Sequence, residues 1–182
     1  PLFSAVADLM RCGVLERDNF SLLFIGSSCG LLEPLIAKYG LEQLVEIGRR
    51  LDHKAALRVQ GESTVLLNLD TGGEGRQGGI GVKTYEYLAS GRPILGLVTP
   101  EGDIARLLNG TGRGVVANKP EEIRAALAHW MKAFEQGRLG NYAQNDPAVL
   151  RFSRRSQANQ LASVLEEVVR QRSANDTRRG IR

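Results

Sequence analysis

Short apolar runs of strand length alternate with helical periodicities along most of the chain, and this alternation restricts its fold more than any other feature. Phe20 to Ile25 is an apolar run closed by Gly26-Ser27-Ser28 and reads as a strand buried on both faces. Leu44 to Gly48, Ser63 to Leu69, Ile94 to Val98 and Gly114 to Ala117 read as further strands. Between them, Leu31 to Lys38, His53 to Val59, Val82 to Ser90 and Asp103 to Leu108 read as helices, with Gly40, Gly61 and Gly91-Arg92-Pro93 as stops. Ahead of the first strand, Leu2, Val6, Leu9 and Met10 fall at helical spacing. Beyond the last, Pro120 with Glu121 and Glu122 opens a longer helix reaching Phe134.

Strands joined through helices make right-handed crossovers, so the order predicts an α/β fold with a Rossmann-like parallel sheet flanked by helices on both faces. In such sheets ligands bind beyond the carboxyl ends of the strands. The loops after Ile25, Leu69 and Val98 are therefore expected to line one crevice.

At 182 residues the chain has room for one domain of this kind. We expect it over residues 1–136, followed by a polar, turn-rich linker over 137–151. A helix is expected over 152–172, carrying Leu161, Val164, Leu165 and Val168 at helical spacing, and then a basic flexible tail over 173–182. Hydrophobic residues at 42% and charged residues at 24% exclude a disordered composition. No apolar stretch approaches the roughly 20 residues that cross a bilayer. The first residues lack a positively charged region before an apolar stretch, so no signal peptide is expected, and the chain is read as starting inside a helix of a longer protein. Cys12 and Cys29 have no C-x-x-C or histidine spacing, which predicts reduced, partly buried thiols, no metal, and a cytoplasmic location. The net charge of +4 comes largely from the arginines between Arg154 and Arg182. Such a run could draw a protein toward anionic headgroups, giving peripheral membrane contact as a second expectation, behind the simpler account of a solvated helix end with a frayed terminus. Aromatics are 5% and none interleaves with the basic run, which argues against nucleic acid.

The chemistry concentrates in the glycine-rich stretch from Thr71 to Gly81, between a buried strand and the helix from Val82. Glycines let backbone amides approach a ligand, and a helix start offers unpaired N–H groups with partial positive charge, which suits phosphate. Lys83 opposes the helix dipole there, so an anion explains it better than helix stability does. Gly73-x-Gly75-x-x-Gly78 matches a dinucleotide fingerprint in form, but its third glycine lies several residues before the helix. Gly79-x-Gly81-Val82-Lys83-Thr84 is close to the end of an ATP-binding P-loop, but Val82 stands where glycine must precede the lysine.

Lys83-x-x-Glu86-Tyr87-Leu88-Ala89-Ser90-Gly91-Arg92-Pro93-Ile94 resembles the K-x-x-E-Y-L-A-x-G-x-P-V/I signature of family-four (group 1) glycosyltransferases of the GT-B fold. Leu22 to Gly26, Leu51 to Ala55 and Ser63 to Leu69 are similar to other segments of that family and fall in family order, so the likeness spans roughly residues 1 to 170. The resemblance implies the C-terminal, donor-binding half of a hexosyltransferase. Glu86, expected on the first turn of its helix, would bind the ribose hydroxyls. Gly79, Ile80, Gly81 and Val82 would meet the diphosphate, with Lys83 supplying catalytic charge as the nucleotide leaves. Arg50, Leu51 and His53 would lie near the nucleotide, His53 serving equally well as a helix cap or core contact. The resemblance further implies a UDP- or GDP-sugar donor as substrate, no cofactor and no metal. It also implies an acceptor held by an N-terminal domain, against which the apolar face of the last helix would partly dock. Gly78 stands where the family carries a second glutamate, eight positions before Glu86; Glu74 is the alternative carboxylate. Two other readings stay open: a dinucleotide-binding domain of an oxidoreductase, and a non-catalytic nucleotide-binding module.

Overall fold

The computed structural model describes residues 1–26, 30–70, 79–139, 141–143 and 145–179, with side chains to 172. Residues Pro1–Tyr142 form one compact unit and Ala143–Arg182 a second.

The first unit begins with helix α1 (Leu2–Arg11), after which strands and helices alternate among the described residues. Strands β1 (Leu22–Ile25), β2 (Val45–Gly48), β3 (Leu66–Leu69), β4 (Ile94–Leu97) and β5 (Gly114–Val116) are separated by helices α2 (Glu33–Tyr39), α3 (His53–Glu62), α4 (Val82–Ser90) and α5 (Asp103–Thr111). Helix α6 (Pro120–Glu135) follows β5. All strand pairs are parallel, as crossovers through helices require: Leu22 pairs with Val45, Leu66 with Ile94, and Ile94 with Gly114. The expected α/β architecture is thus present. The parallel ladders form two sheets, β1-β2 and β3-β4-β5. Side chains join what the ladders do not: Leu22, Phe24, Val45 and Ile47 meet Leu67, Leu95 and Leu97 in a single apolar cluster.

That cluster is built chiefly on α1 and α6. Leu2, Phe3, Ala5, Val6 and Leu9 line one face of α1, and Ile123, Ala126 and Trp130 face them from α6. Val6, Leu15, Leu41, Ile94, Leu95, Leu108 and Ile123 are almost wholly enclosed, each contributing about 1.5–3 kcal/mol by leaving water. Phe3 packs its ring 6.1 Å from Phe24 and 6.4 Å from Tyr39, bringing β1 and α2 onto the same core. Arg124 on α6 donates to Asp8 on α1 at 2.5 Å, across 116 residues of chain.

Strand β1 departs from its expectation. It is covered on one side only, with Leu23 43% and Ile25 37% exposed. The helices beside it explain this, since α2 buries only Ile36 and α3 buries no residue. The expected stop at Gly61 is also overrun, because α3 continues to Glu62. Its C-terminal carbonyls find partners there: Ser63 donates to Val59 O at 2.7 Å, and the Arg92 guanidinium reaches Gly61 O. The unit extends to Tyr142, beyond the expected 136, because the Tyr142 amide donates to Gly91 O at 2.8 Å and its ring lies 4.5 Å under the Arg113 guanidinium. Cys12 is exposed, not partly buried; Cys29 lies outside the described residues.

The second unit holds a short helix, α7 (Pro147–Leu150), inside the expected linker, and the long helix α8 (Arg154–Arg179), which runs seven residues past the expected end at 172. Asp146 caps α7 by accepting from the Ala148 amide at 2.8 Å. On α8, Leu161, Val164, Leu165 and Val168 are about half exposed or more. No helix among the described residues is long and apolar enough to cross a membrane.

Candidate functional site

Helix α4 starts at the carboxyl end of β3, and a buried hydrogen bond holds it there. Asn68 on β3 donates through Nδ2 to Thr84 Oγ1 on the first turn of α4 at 2.9 Å, and both side chains are enclosed. Satisfied in this way, two buried polar groups fix the helix start against the strand. Gly81 is the N-cap residue and supplies no side-chain cap, and the first turn holds no acidic residue. The amides of Gly81, Val82 and Lys83 make no hydrogen bond among the described residues. Gly81, Val82 and Lys83 are all exposed, Val82 at 64%. Unpaired donors and the positive end of a helix dipole therefore face outward together with a lysine. Ile80 is partly buried behind them.

Glu86 lies on the second turn of α4 rather than the first, four residues after Val82. The shift changes its surroundings. Instead of sitting at the dipole end, it packs against α3, with His53 Nε2 3.4 Å from Oε1 and Gln60 Nε2 donating to Oε2 at 3.4 Å. His53 and Gln60 are two turns apart on one face of α3, so a single helix face presents both donors to the carboxylate. Glu86 retains 25% exposure of its side chain and does not turn into the core. Burial, and then the charge of Glu86, raise the Tyr87 phenol above its ordinary range.

His53 is the first residue of α3, and the cap belongs to its neighbour: Asp52 accepts from the Ala55 amide at 2.8 Å. His53 neither caps the helix nor enters the core, the two alternatives to a place beside the nucleotide, since its side chain is 63% exposed and faces Glu86. Arg50 and Leu51 precede it on an exposed, irregular segment between β2 and α3. Helix packing thus brings His53 and Glu86 together, while Arg50 and Leu51 stand exposed just before α3.

Sequence reasoning missed Asp103. This residue opens α5, and its Oδ2 accepts the Gly79 amide at 3.1 Å while Oδ1 accepts from Arg106 Nη2 at 2.5 Å. The Arg106 guanidinium and then the Gly79 amide hold the Asp103 carboxyl below the usual carboxylate range. The Gly79 amide, expected to face a phosphate, is engaged by a carboxylate of the same chain. A signal existed in Gly102-Asp103, a glycine and an acidic residue opening a helix, but it marks an ordinary helix start and names no distant partner. Gln60 was missed for the same reason.

Gly73, Gly75 and Gly78, which carry the dinucleotide fingerprint, lie outside the described residues, as does Glu74. Of the three loops expected to line one crevice, only that after Val98 is described throughout. Among the described residues no group of three His, Cys, Asp or Glu side chains converges as a metal site would require.

A solved glycosyltransferase shares this fold. The pneumococcal O-GlcNAc transferase GtfA, in complex with UDP and GlcNAc, superposes with a TM-score of 0.59 over 91% of this chain, at 18% identity. The chain spans 32% of that structure's length. The α/β architecture is that of a Rossmann-like half of a GT-B fold. No family description and no curated protein matches the sequence.

Proposed function

We propose that the first unit is the donor-binding domain of a family-four type glycosyltransferase, taking a nucleotide-activated sugar at the start of α4. The observation that carries this reading is the combination at that helix: an uncapped, outward-facing N-terminus bearing Lys83, and a partly exposed carboxylate one turn further along. The amides of Gly81, Val82 and Lys83 would receive the diphosphate, and Glu86, an acceptor-only group, would take the ribose hydroxyls. His53, Arg50 and Leu51 would border the nucleoside, with UDP or GDP as the nucleotide. As the bond between anomeric carbon and diphosphate oxygen breaks, negative charge grows on the leaving group, and fixed amides with the Lys83 ammonium stabilise it. Lys83 is thereby the residue assigned catalytic weight. The acceptor would bind on a further domain of the protein, and the basic C-terminal segment would favour peripheral contact with an anionic membrane surface.

Calorimetric titration of the full protein with UDP, GDP and ADP tests the reading, with saturable binding of UDP or GDP as the expected result. No heat from any of the three, together with uptake of a nicotinamide dinucleotide, would replace it with the oxidoreductase alternative.

A further inference from the structure

The loop entering α4 is held by a residue from elsewhere in the chain. Asp103 stands 24 residues after Gly79, at the head of the neighbouring helix, and accepts the Gly79 amide at 3.1 Å. Its carboxylate is itself fixed from its own helix. Arg106, one turn on, donates to Oδ1 at 2.5 Å and with its other terminal nitrogen reaches Glu101 O, so the pair is locked across the turn that starts α5. The held amide is two residues from Gly81, the N-cap of α4, and Gly79 adopts a φ of +117°, which only glycine takes without strain.

We propose that Asp103 is a positioning residue for the nucleotide site: by holding Gly79 it sets the path of the chain into α4, so that the amides of Gly81 to Lys83 are aimed before a diphosphate arrives. The proposal rests on the reading of α4 given above. Binding energy otherwise spent on directing those amides is then available to the ligand, which is the general advantage of preorganisation. Charge does not count against it. The Asp103 carboxylate is compensated by Arg106, which pairs with it at 2.5 Å. Helix α4 is thus secured twice, from β3 through Asn68 and Thr84, and from α5 through Asp103 and Gly79.

The test uses the whole chain with UDP and GDP as probes, comparing wild type with Asp103→Ala, Asp103→Asn, Gly79→Ala and the Asp103→Ala/Gly79→Ala double variant. Loss of one charge-assisted hydrogen bond should weaken binding about five- to tenfold in Asp103→Ala. Asp103→Asn keeps a carbonyl oxygen that accepts the same amide, so it should recover most of that loss. Gly79→Ala, strained at φ +117°, should weaken binding with Asp103 intact, and the double variant should lose less than the sum of the two. Amide hydrogen exchange over residues 79–83 should accelerate in Asp103→Ala and not in Asp103→Asn, a readout independent of nucleotide. Should Asp103→Ala fail to fold, Asp103→Asn and Gly79→Ala carry the comparison. A wild type that takes up neither nucleotide overturns the reading of the site, and the proposal with it. A wild type that binds while Asp103→Ala binds equally well or more tightly overturns the proposal alone, the tighter case marking the carboxylate as a competitor for the amide. Asp103→Asn as weak as Asp103→Ala, with exchange unchanged in both, likewise overturns it.

Discussion

Gly114 shows how little room a single position can leave. A Cβ built there would stand 2.5 Å from Ile94 O and 3.1 Å from Ile94 Cβ, so β5 can pair with β4 at this register only without a side chain. Gly114→Ala must therefore push two backbones apart. We expect a loss of about 1–3 kcal/mol, as for overpacking in a closed core, read as a lower midpoint in thermal unfolding; an unchanged midpoint would show that the strands part freely. Glu86 behaves in the opposite way. Its side chain is 25% exposed, so Glu86→Ala should leave the fold intact while weakening UDP or GDP binding by about 1–3 kcal/mol through lost hydrogen bonds to a charged group. Equal affinity in wild type and variant would remove Glu86 from the site. The placement of Lys83 and Glu86 on one helix was legible from the sequence because a dense local motif surrounds them. Asp103 and Gln60 were not, because each acquires its role from a partner 24 or 26 residues away, which no local spacing encodes.

Among the elements, α4 was the most legible: its bounds, Val82 and Ser90, agree with those read from the glycines at either side. Helix α3 was not, since a glycine close to a C-terminus costs at most about 1 kcal/mol relative to alanine, and partners for the last carbonyls offset that. The coverage of β1 was misjudged because apolar composition reports what a strand could bury, not whether its neighbours supply a covering face. The placement of α4 leads to a prediction at this scale. Thr84→Val keeps the shape and removes the hydroxyl that accepts from Asn68, leaving a buried amide donor without a partner. We expect a destabilisation of about 1–3 kcal/mol, with nucleotide binding weakened as well because the helix start loses its tie to β3. Retention of both stability and binding would show that packing alone sets the helix.

For the whole molecule, the alternating order of strands and helices determines the α/β class, and that much could be read from periodicity. The division of the ladders into two sheets could not, because it depends on where three- and four-residue strands come within hydrogen-bonding reach. The closure of the first unit has a pH signature. Contact with Arg11, and with Arg124 across the α1–α6 packing, holds the Asp8 carboxyl below its ordinary value near 3.8. A depressed carboxylate contributes stability that is present above the unfolded value and is lost as pH falls through the folded one. Asp8→Asn should therefore flatten the dependence of the melting temperature on pH below about pH 4 relative to wild type; parallel curves would show that other carboxylates govern it.

The pairing of α1 with α6 also bears on biogenesis. At a ribosomal output of about 5 to 20 residues per second, residues 2–11 would wait roughly 6 to 25 seconds for residues 120–135 to be made. Through that interval the face of α1 that packs on α6 has only β1 and α2 as partners, so nascent chains of this protein should lean on chaperones until α6 clears the exit tunnel.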